Sequence, residues 1–430
     1  MKRTNLVAID ISDASVKVLQ LEADGSVEAY ATQQLTPGII ENGRIVDHDG
    51  FSEALRQVLA STKPKKLPSD LDSLRAVICL PETKLFTCAV EIPASVRRSD
   101  LLNFVGDEAA KIIPFELDDL YWDFHATQKD GKTIAVFVAA PKTDLDLYVK
   151  GFHDAGIRPS FVGSEMFCLG RALLPDTFDD ARMIIDIGAN TTSIGIFVRD
   201  ALARFSVVIP HGGSYFSQQI ADRLGIPLEE AESLKRSQGL HIDDGKGGKA
   251  IMHDLVRPLA QEIASAKEYA QRVYGCAISE VLAAGGSSLI PGLCEFLSSE
   301  TGLSVSIADP LIKIKGHDAF EENTPRILFS TVIGLALLSD RRDLPRINLL
   351  TQYRFEEGEI EKERLMISEV RSLSDLHYVV YQQRIKMVSY GQRVLAFLPV
   401  FKKLDLKLFL TVLLFTISLG VLAWVMMVYI

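Results

Sequence analysis

Short hydrophobic runs alternate with longer amphipathic runs along the first 340 residues of the chain. Runs such as LVAIDI (6–11) and SVKVLQLEA (15–23) are rich in β-branched residues and are followed by polar turns, which is typical of strands. Between the strand-like runs, apolar residues recur at every third or fourth position, as in DLDLYVKGFHDAG (144–156), which predicts helices. The alternation predicts a mixed α/β fold.

One strand–turn–strand unit occurs twice in the chain. LVAIDI and SVKVLQLEA form the first copy, and RMIIDIG (182–188) with TSIGIFV (192–198) forms the second. Asp10 and Asp186 stand at the end of the first strand of each copy. The repetition predicts two related halves, each with a carboxylate beside a tight turn.

Two further pairs of strand-like runs lie between these copies. AVICLP (76–81) and FTCAVEIP (86–93) are predicted to form one hairpin. DLYWDFHATQ (119–128) and TIAVFVAAP (133–141) flank an Asp-Gly turn and are predicted to form another. A long helix is predicted from Met252 to Tyr274.

Charge and side-chain chemistry exclude two classes of function. The 430 residues carry a net charge of −10, whereas a protein that binds nucleic acid needs a basic surface. The five cysteines include no C-x-x-C pair, and the eight histidines show no metal-ligand spacing. We therefore expect neither a nucleic-acid partner nor a zinc site.

The last 23 residues, 408–430, contain no charged side chain. A helix of this length reaches roughly 34 Å, enough to cross the roughly 30 Å hydrocarbon core of a bilayer. Lys402, Lys403 and Lys407 directly precede the run, which predicts a single span with the N-terminal part in the cytoplasm. A buried core helix is the alternative. The expected location is the inner membrane.

The segment 356–407 carries apolar residues at intervals of three, four or seven. This spacing predicts a helical stalk, either as a coiled coil that pairs two protomers or as a single helix packed on the preceding domain.

Both strand–turn–strand units resemble the phosphate-binding hairpins of the actin-like ATPase superfamily, which holds ATP between two lobes. The resemblance implies that Asp10 and Asp186 hold Mg²⁺, mostly through water, and that backbone N–H groups of the turns hold phosphates. It places ATP-binding positions at Asp10, Ser12, Ser15, Lys17, Asp186, Gly188, Asn190, Thr191 and Thr192.

Three further segments resemble the parts of this superfamily around adenosine and the second hairpin: HGGSYFSQQIA (211–221), AESLKR (231–236) and ISEVLAAGGSSLIPGL (278–293). In AESLKR the resemblance implies that Glu and Lys hold the ribose and that Arg flanks the base. The added cofactor-binding positions are Gly212, Gly213, Glu232, Lys235, Arg236, Gly285, Gly286 and Ser287.

Within the superfamily, DISDASVKVLQL, VGSE, DIGANTTSI and AAGGSSLIPGL are similar to segments of PilM, a cytoplasmic protein of type IV pilus assembly. The similarity covers about residues 5–340, with FtsA as the nearest relative. It implies a head, residues 1–343, with subdomains IA, IC, IIA and IIB. Subdomain IC is expected over about 76–158 and IIB over about 214–278.

PRINLLTQYR (345–354) resembles the INLLP-x-R tail of PilN, the membrane partner that PilM binds, although Thr351 stands where proline is usual. That tail lies as an extended peptide between subdomains IA and IC. The resemblance predicts a tail motif over 344–355, with partner-binding residues Ile347, Asn348, Leu349 and Leu350. A plain linker is the alternative. The chain would thus join a PilM-like head to a PilN-like tail and anchor, an arrangement related to GspL.

Actin-like proteins that hydrolyse ATP orient the attacking water with a carboxylate or amide between the lobes. Glu165, in GSEMFCLGRAL (163–173), occupies the matching position and is the candidate catalytic residue. In the first turn, however, Ser12 replaces the usual glycine, and Asp13 adds a carboxylate that would repel a triphosphate unless it points away or binds the metal. We therefore expect ATP binding with slow or no hydrolysis.

These features predict a membrane-anchored ATP-binding scaffold of a type IV pilus or related type II secretion platform. Its expected partners are PilN/PilO-like inner-membrane proteins, an assembly ATPase or a platform protein, together with a further copy of the chain. An FtsA-like membrane tether in cell division is the first alternative. A sugar- or metabolite-kinase is the second, but it would need an aspartate base opposite the phosphates, and we find no such segment.

Overall fold

The computed structural model describes residues 6–67, 75–97, 100–129, 131–200, 202–242, 248–316, 319–321, 324–340 and 346–356. The predicted stalk beyond Glu356 and the predicted membrane helix, 408–430, lie outside the described residues. Within them, no helix combines the length and the apolar character that a membrane crossing needs.

The first lobe is built on a sheet with the spatial order β11-β7-β1-β2-β3-β6. The chain runs antiparallel through β1, β2 and β3, whereas β1, β7 and β11 are parallel. The strands of this sheet are β1 (Leu6–Ile11), β2 (Ser15–Leu21), β3 (Val27–Gln34), β6 (Lys63–Pro64), β7 (Arg75–Leu80) and β11 (Arg158–Ser164). A short hairpin of β4 (Ile40–Glu41) and β5 (Arg44–Ile45) stands beside it.

The second lobe repeats this topology, with the order β14-β13-β12-β15-β16. Its first three strands are antiparallel, and β12, β15 and β16 are parallel, as in the first lobe. The bounds are β12 (Thr177–Ile187), β13 (Thr192–Asp200), β14 (Ala203–Ile209), β15 (Ile278–Ala284) and β16 (Val305–Ile307). The repeated strand–turn–strand unit of the sequence is therefore a repeated lobe.

A third sheet, inserted between β7 and β11, has the order β8-β10-β9 and is antiparallel. Its strands are β8 (Phe86–Ile92), β9 (Leu120–Lys129) and β10 (Lys132–Pro141). The hairpin predicted between 76–81 and 86–93 is wrong, because β7 pairs with β1 and β11 while β8 pairs with β10. Five of the six residues of β7 are buried, so this strand needs neighbours on both edges, which the first lobe supplies.

Helices cover the sheets and fill the space between the lobes. α4 packs on α9, and α9 also contacts β1 and β2. The hydrophobic core of the first lobe includes both helices, whereas the second lobe has a core of its own. The helices are α1 (His48–Ala60), α2 (Leu101–Ala110), α3 (Lys142–Asp154), α4 (Glu165–Leu173), α5 (Gly213–Leu224), α6 (Leu228–Ser237), α7 (Gly248–Tyr274), α8 (Leu293–Thr301), α9 (Ser330–Asp340) and α10 (Leu350–Glu356).

Candidate functional site

A cavity of about 760 Å³ lies between the two lobes and is lined by residues of both. The sequence-predicted residues in its wall are Asp10, Ser12, Ser15, Lys17, Glu165, Asp186, Gly188, Asn190, Thr191, Gly213, Glu232, Lys235, Arg236, Gly285, Gly286 and Ser287. The fold thus brings both hairpin turns, the AESLKR helix and the double glycine to one place.

Thr192 and Gly212 do not line the cavity wall. The Thr192 hydroxyl is buried and donates to the backbone carbonyl of His211 at 2.7 Å. A Cβ on Gly212 would lie 2.6 Å from the carbonyl oxygen of Ala189. Both residues therefore fix the backbone around the second turn and do not face the cavity.

Asp10 and Lys17 are cross-strand partners in the antiparallel pair of β1 and β2, and both are buried. The Lys17 ammonium lies 3.1 Å from Asp10 Oδ2. Burial by itself would lower the pKa of Lys17, but the Asp10 charge and hydrogen bond outweigh it, so the pKa is raised. Lys17 is therefore a fixed cation at the floor of the cavity.

Carboxylates concentrate around this lysine. Burial raises the pKa of Asp186 to about 6, and the charge of Asp10 adds to the effect. Burial also raises the pKa of Glu165 well above its usual range, with further contributions from Asp186, Asp10 and Glu82. The ionised forms of these carboxyl groups repel one another, and a cation bound beside them would relieve that repulsion.

The donor set fits Mg²⁺ better than a softer metal. Asp10 and Asp186 supply carboxylate oxygens, and within the described part of the chain no three or more His, Cys, Asp or Glu side chains are arranged to hold a metal ion by themselves. Mg²⁺ commonly keeps several waters and uses only one or two carboxylates together with substrate phosphates.

The first turn is closed by its two serines. Ser15 N donates to Ser12 Oγ at 3.1 Å, and Ser12 N donates to the Ser15 carbonyl at 2.9 Å. Left-handed backbone among the described non-glycine residues occurs at Asn42 and Arg199, so Ser12 does not need to be glycine. The serine that departs from the family pattern is therefore compatible with the turn.

Close approach of the backbone explains the first residue of the double glycine. Gly285 has φ +78°, and a side chain there would overlap Asp186 Oδ1 and the Ile187 carbonyl. Ser287 Oγ donates to the Gly188 carbonyl at 3.0 Å, which holds this segment against the second turn.

α6 presents a linked polar cluster to the cavity. Lys235 Nζ donates to Glu232 Oε2 at 2.6 Å and to the Gly213 carbonyl at 2.8 Å. Burial opposes ionisation of Glu232, but hydrogen bonds from Lys235, Ser217 and Arg236 lower its pKa to about 2. The resulting set of fixed donors and acceptors suits hydroxyl groups such as those of a ribose.

Glu82 is a buried acid of the cavity wall that the sequence reading missed. It accepts hydrogen bonds from the backbone N–H of Met166 at 2.9 Å, from Ser206 Oγ at 3.2 Å and from Ser164 Oγ. The carboxylate thereby links the start of the inserted segment to α4 and β14. Its only sequence signal is a polar residue directly after a buried strand, which is common in loops.

Other wall residues were also missed, because they lie outside the two repeated hairpins and the segments that resemble the superfamily. They are Thr32, Gln34, Asn42, Gly43, Pro325, Ile327, Leu328, Ser330 and Thr331.

The tail motif docks on the head of its own chain. Leu349 N donates to the Val162 carbonyl at 2.9 Å, Val162 N donates to Asn348 Oδ1 at 3.0 Å, and Asn348 N donates to Asp123 Oδ2 at 2.8 Å. These bonds join the motif to β11 of the first lobe and β9 of the inserted sheet. Ile347, Leu349 and Leu350 are buried there.

The remainder of the motif is helical, which corrects the expected extended peptide. α10 begins at Leu350, where the Asn348 side chain accepts from Leu350 N at 3.2 Å and the Asn348 carbonyl accepts from Thr351 N at 3.1 Å. Gln352 Oε1 then accepts from Trp122 N at 3.1 Å. Since Thr351 retains an N–H that the usual proline lacks, it can join this turn.

Residues 8–340 match the family described as type IV pilus assembly protein PilM. The chain belongs to this family. Its similarity to PilM, first recognised in the hairpin motifs, is thus confirmed over the head.

Two curated relatives are similar to this chain in sequence. Cell division protein FtsA of Neisseria meningitidis serogroup B is 28% identical over 371 residues, or 76% of this chain and 88% of the relative. Ethanolamine utilization protein EutJ of Salmonella typhimurium is 30% identical over 153 residues, or 36% of this chain and 49% of EutJ.

A solved structure described as the PilM-PilN type IV pilus biogenesis complex is 19% identical to this PilM-family chain. The match covers 79% of this chain and 99% of that chain, with a TM-score of 0.66. At this identity the similarity shows the fold, and the predicted mixed α/β, actin-like class is confirmed for the head.

Proposed function

We propose that this PilM-family chain is a membrane-anchored, ATP-binding scaffold of a type IV pilus or related type II secretion platform in the inner membrane. The observation that carries the nucleotide part is the convergence of Asp10, Lys17, Asp186 and the Glu232–Lys235 pair on one interlobe cavity. The predicted span at 408–430 supports the anchoring, and family membership supports the pathway.

Each part of the cavity has a role in binding ATP. The two turns and Lys17 would hold the phosphates, Asp10 and Asp186 would hold Mg²⁺, and Glu232 with Lys235 would bind the ribose. Bound Mg²⁺ would neutralise phosphate charge. The backbone at Gly285 and Gly286 would lie against the base.

Hydrolysis would be slow at most. Glu165 would be the residue that orients water, but burial and the neighbouring carboxylates raise its pKa well above the usual range, which disfavours its ionised form. A protonated carboxyl group does not accept a proton from water. The nucleotide would therefore act as a ligand that sets the arrangement of the lobes.

We further propose that Ile347, Asn348, Leu349 and Leu350 form a PilN-like segment that the head binds within the same chain. The backbone bonds to Val162 and Asp123 and the burial of three apolar side chains support this proposal. PilN/PilO-like proteins, an assembly ATPase or a platform protein would then reach the chain through other surfaces.

Isothermal titration of Asp186→Ala with Mg²⁺-ATP tests the nucleotide site. The variant should lose measurable binding, because a cation-binding carboxylate is removed. Asp222→Ala is the matched control, since Asp222 is an exposed aspartate on α5 bonded to Gln218. Unchanged affinity of a folded Asp186→Ala variant would contradict the assignment.

The similarity to FtsA over 76% of the chain favours a cell-division tether as the second candidate. Cross-linking of the full chain in native membranes separates the two proposals. Recovery of pilus or secretion platform proteins supports the first, and recovery of division proteins alone supports the second.

A further inference from the structure

The Asp13 side chain extends from the first turn to two backbone N–H donors in the turn between β4 and β5. Its Oδ1 accepts from Gly43 N at 2.8 Å and its Oδ2 accepts from Asn42 N at 3.0 Å. Asn42 and Gly43 have φ values of +51° and +70° in the two-residue turn between β4 and β5, and their adjacent N–H groups both point at the Asp13 carboxylate. The carboxylate therefore occupies a pair of backbone N–H donors in the β4–β5 turn, which we call the Asn42–Gly43 nest.

Contacts with residues other than Asp13 also hold the Asn42–Gly43 nest in place. Tyr148 is buried, and its hydroxyl donates to the Gly43 carbonyl at 2.9 Å. A Cβ on Gly43 would lie 2.8 Å from Thr83 Oγ1, so the turn packs closely on the segment after β7. The two N–H donors would consequently stay in place if the Asp13 side chain were displaced or removed.

The same carboxylate also reaches the opposite lobe. Asn190, in the turn between β12 and β13, donates from Nδ2 to Asp13 Oδ2 at 2.7 Å. Asp13, Asn42, Gly43 and Asn190 all line the interlobe cavity. One side chain thus connects the two turns that would hold phosphates.

We propose that Asp13 is a latch that joins the lobes and discriminates against the terminal phosphate of a nucleoside triphosphate. The inference rests on the proposed nucleotide site. Asp13 brings a negative charge and acceptor oxygens to donors that a terminal phosphate would use. A diphosphate leaves the latch closed, whereas a triphosphate must displace it against charge repulsion.

Titration of the full chain with Mg²⁺-ADP and with Mg²⁺-ATP tests the selectivity. Asp13→Ala should raise the affinity for ATP relative to ADP by about tenfold, because the competing charge is gone. Asp24→Ala, which changes a solvent-exposed aspartate in the β2–β3 turn, should leave the ratio at the wild-type value. An unchanged ratio in Asp13→Ala overturns the proposal.

A distance measurement between the lobes tests the latch independently of nucleotide binding. Spin labels at positions 53 and 230 report on α1 and α6 in nucleotide-free protein. Asp13→Ala and Asn190→Ala should both broaden the distance distribution, even if neither nucleotide binds the wild type and the proposed function fails. A distribution that stays as narrow as the wild type in both folded variants overturns the latch.

Discussion

At the scale of single residues, Glu82 shows how burial and hydrogen bonding act against each other. Burial raises its pKa, although Ser164, Met166 and Ser206 all donate to the carboxylate. The unfolded chain therefore releases the Glu82 proton at a lower pH than the folded chain does. The free energy of unfolding consequently falls as pH rises through this range.

Glu82→Gln should remove this pH-dependent fall in the free energy of unfolding. The amide oxygen can still accept from Met166 N and Ser164 Oγ, and the amide N–H can donate to Ser206 Oγ. Denaturant unfolding should show the variant gaining stability relative to wild type as pH rises from about 4.5, the ordinary glutamate pKa, towards neutral. A difference that is the same at every pH would show that Glu82 ionisation does not affect folding.

At the scale of elements, the contact between α4 and α9 depends on a glycine. A Cβ on Gly334 would overlap the carbonyl of Cys168, so the two helix backbones approach without an intervening side chain. Because α9 also contacts β1 and β2, this packing positions the strands that carry Asp10 and Lys17.

Gly334→Ala should lower the free energy of unfolding by about 1–3 kcal/mol or more, since overpacking forces the helices apart. The matched control is Gly106→Ala within α2, where an added Cβ meets Leu117 at an ordinary 3.4 Å. That change should instead stabilise the protein by up to about 1 kcal/mol through helix propensity. Equal effects of the two changes in thermal unfolding would contradict the packing argument.

At the scale of the whole molecule, two copies of one lobe enclose a site that neither copy contains alone. The first lobe supplies the Asp10–Lys17 pair and the second supplies Asp186, α6 and the double glycine. The tail then ties the inserted sheet to the first lobe through Asp123 and Val162.

Asn348→Ala should loosen the tail, because the Val162 N–H loses its acceptor at a cost of about 1–3 kcal/mol. Amide exchange of residues 346–353 should become faster, and its rate should not depend on protein concentration if docking is within one chain. Asn103→Ala, on the exposed face of α2, should leave it unchanged. Equal exchange in Asn348→Ala and wild type would mean that this side chain does not hold the tail.

Local patterns in the sequence determined the repeated hairpins, the helix that carries Glu232 and Lys235, and the double glycine directly after β15. Each of these features depends on the spacing of residues that are close in sequence, and this spacing can be seen without the tertiary structure. The tertiary structure alone decided that β7 and β8 belong to different sheets, that Glu82 joins three segments, and that Asp13 turns into the Asn42–Gly43 nest. These outcomes depend on groups distant in sequence, and their energy comes from burial and hydrogen bonds that exist only after the lobes have packed.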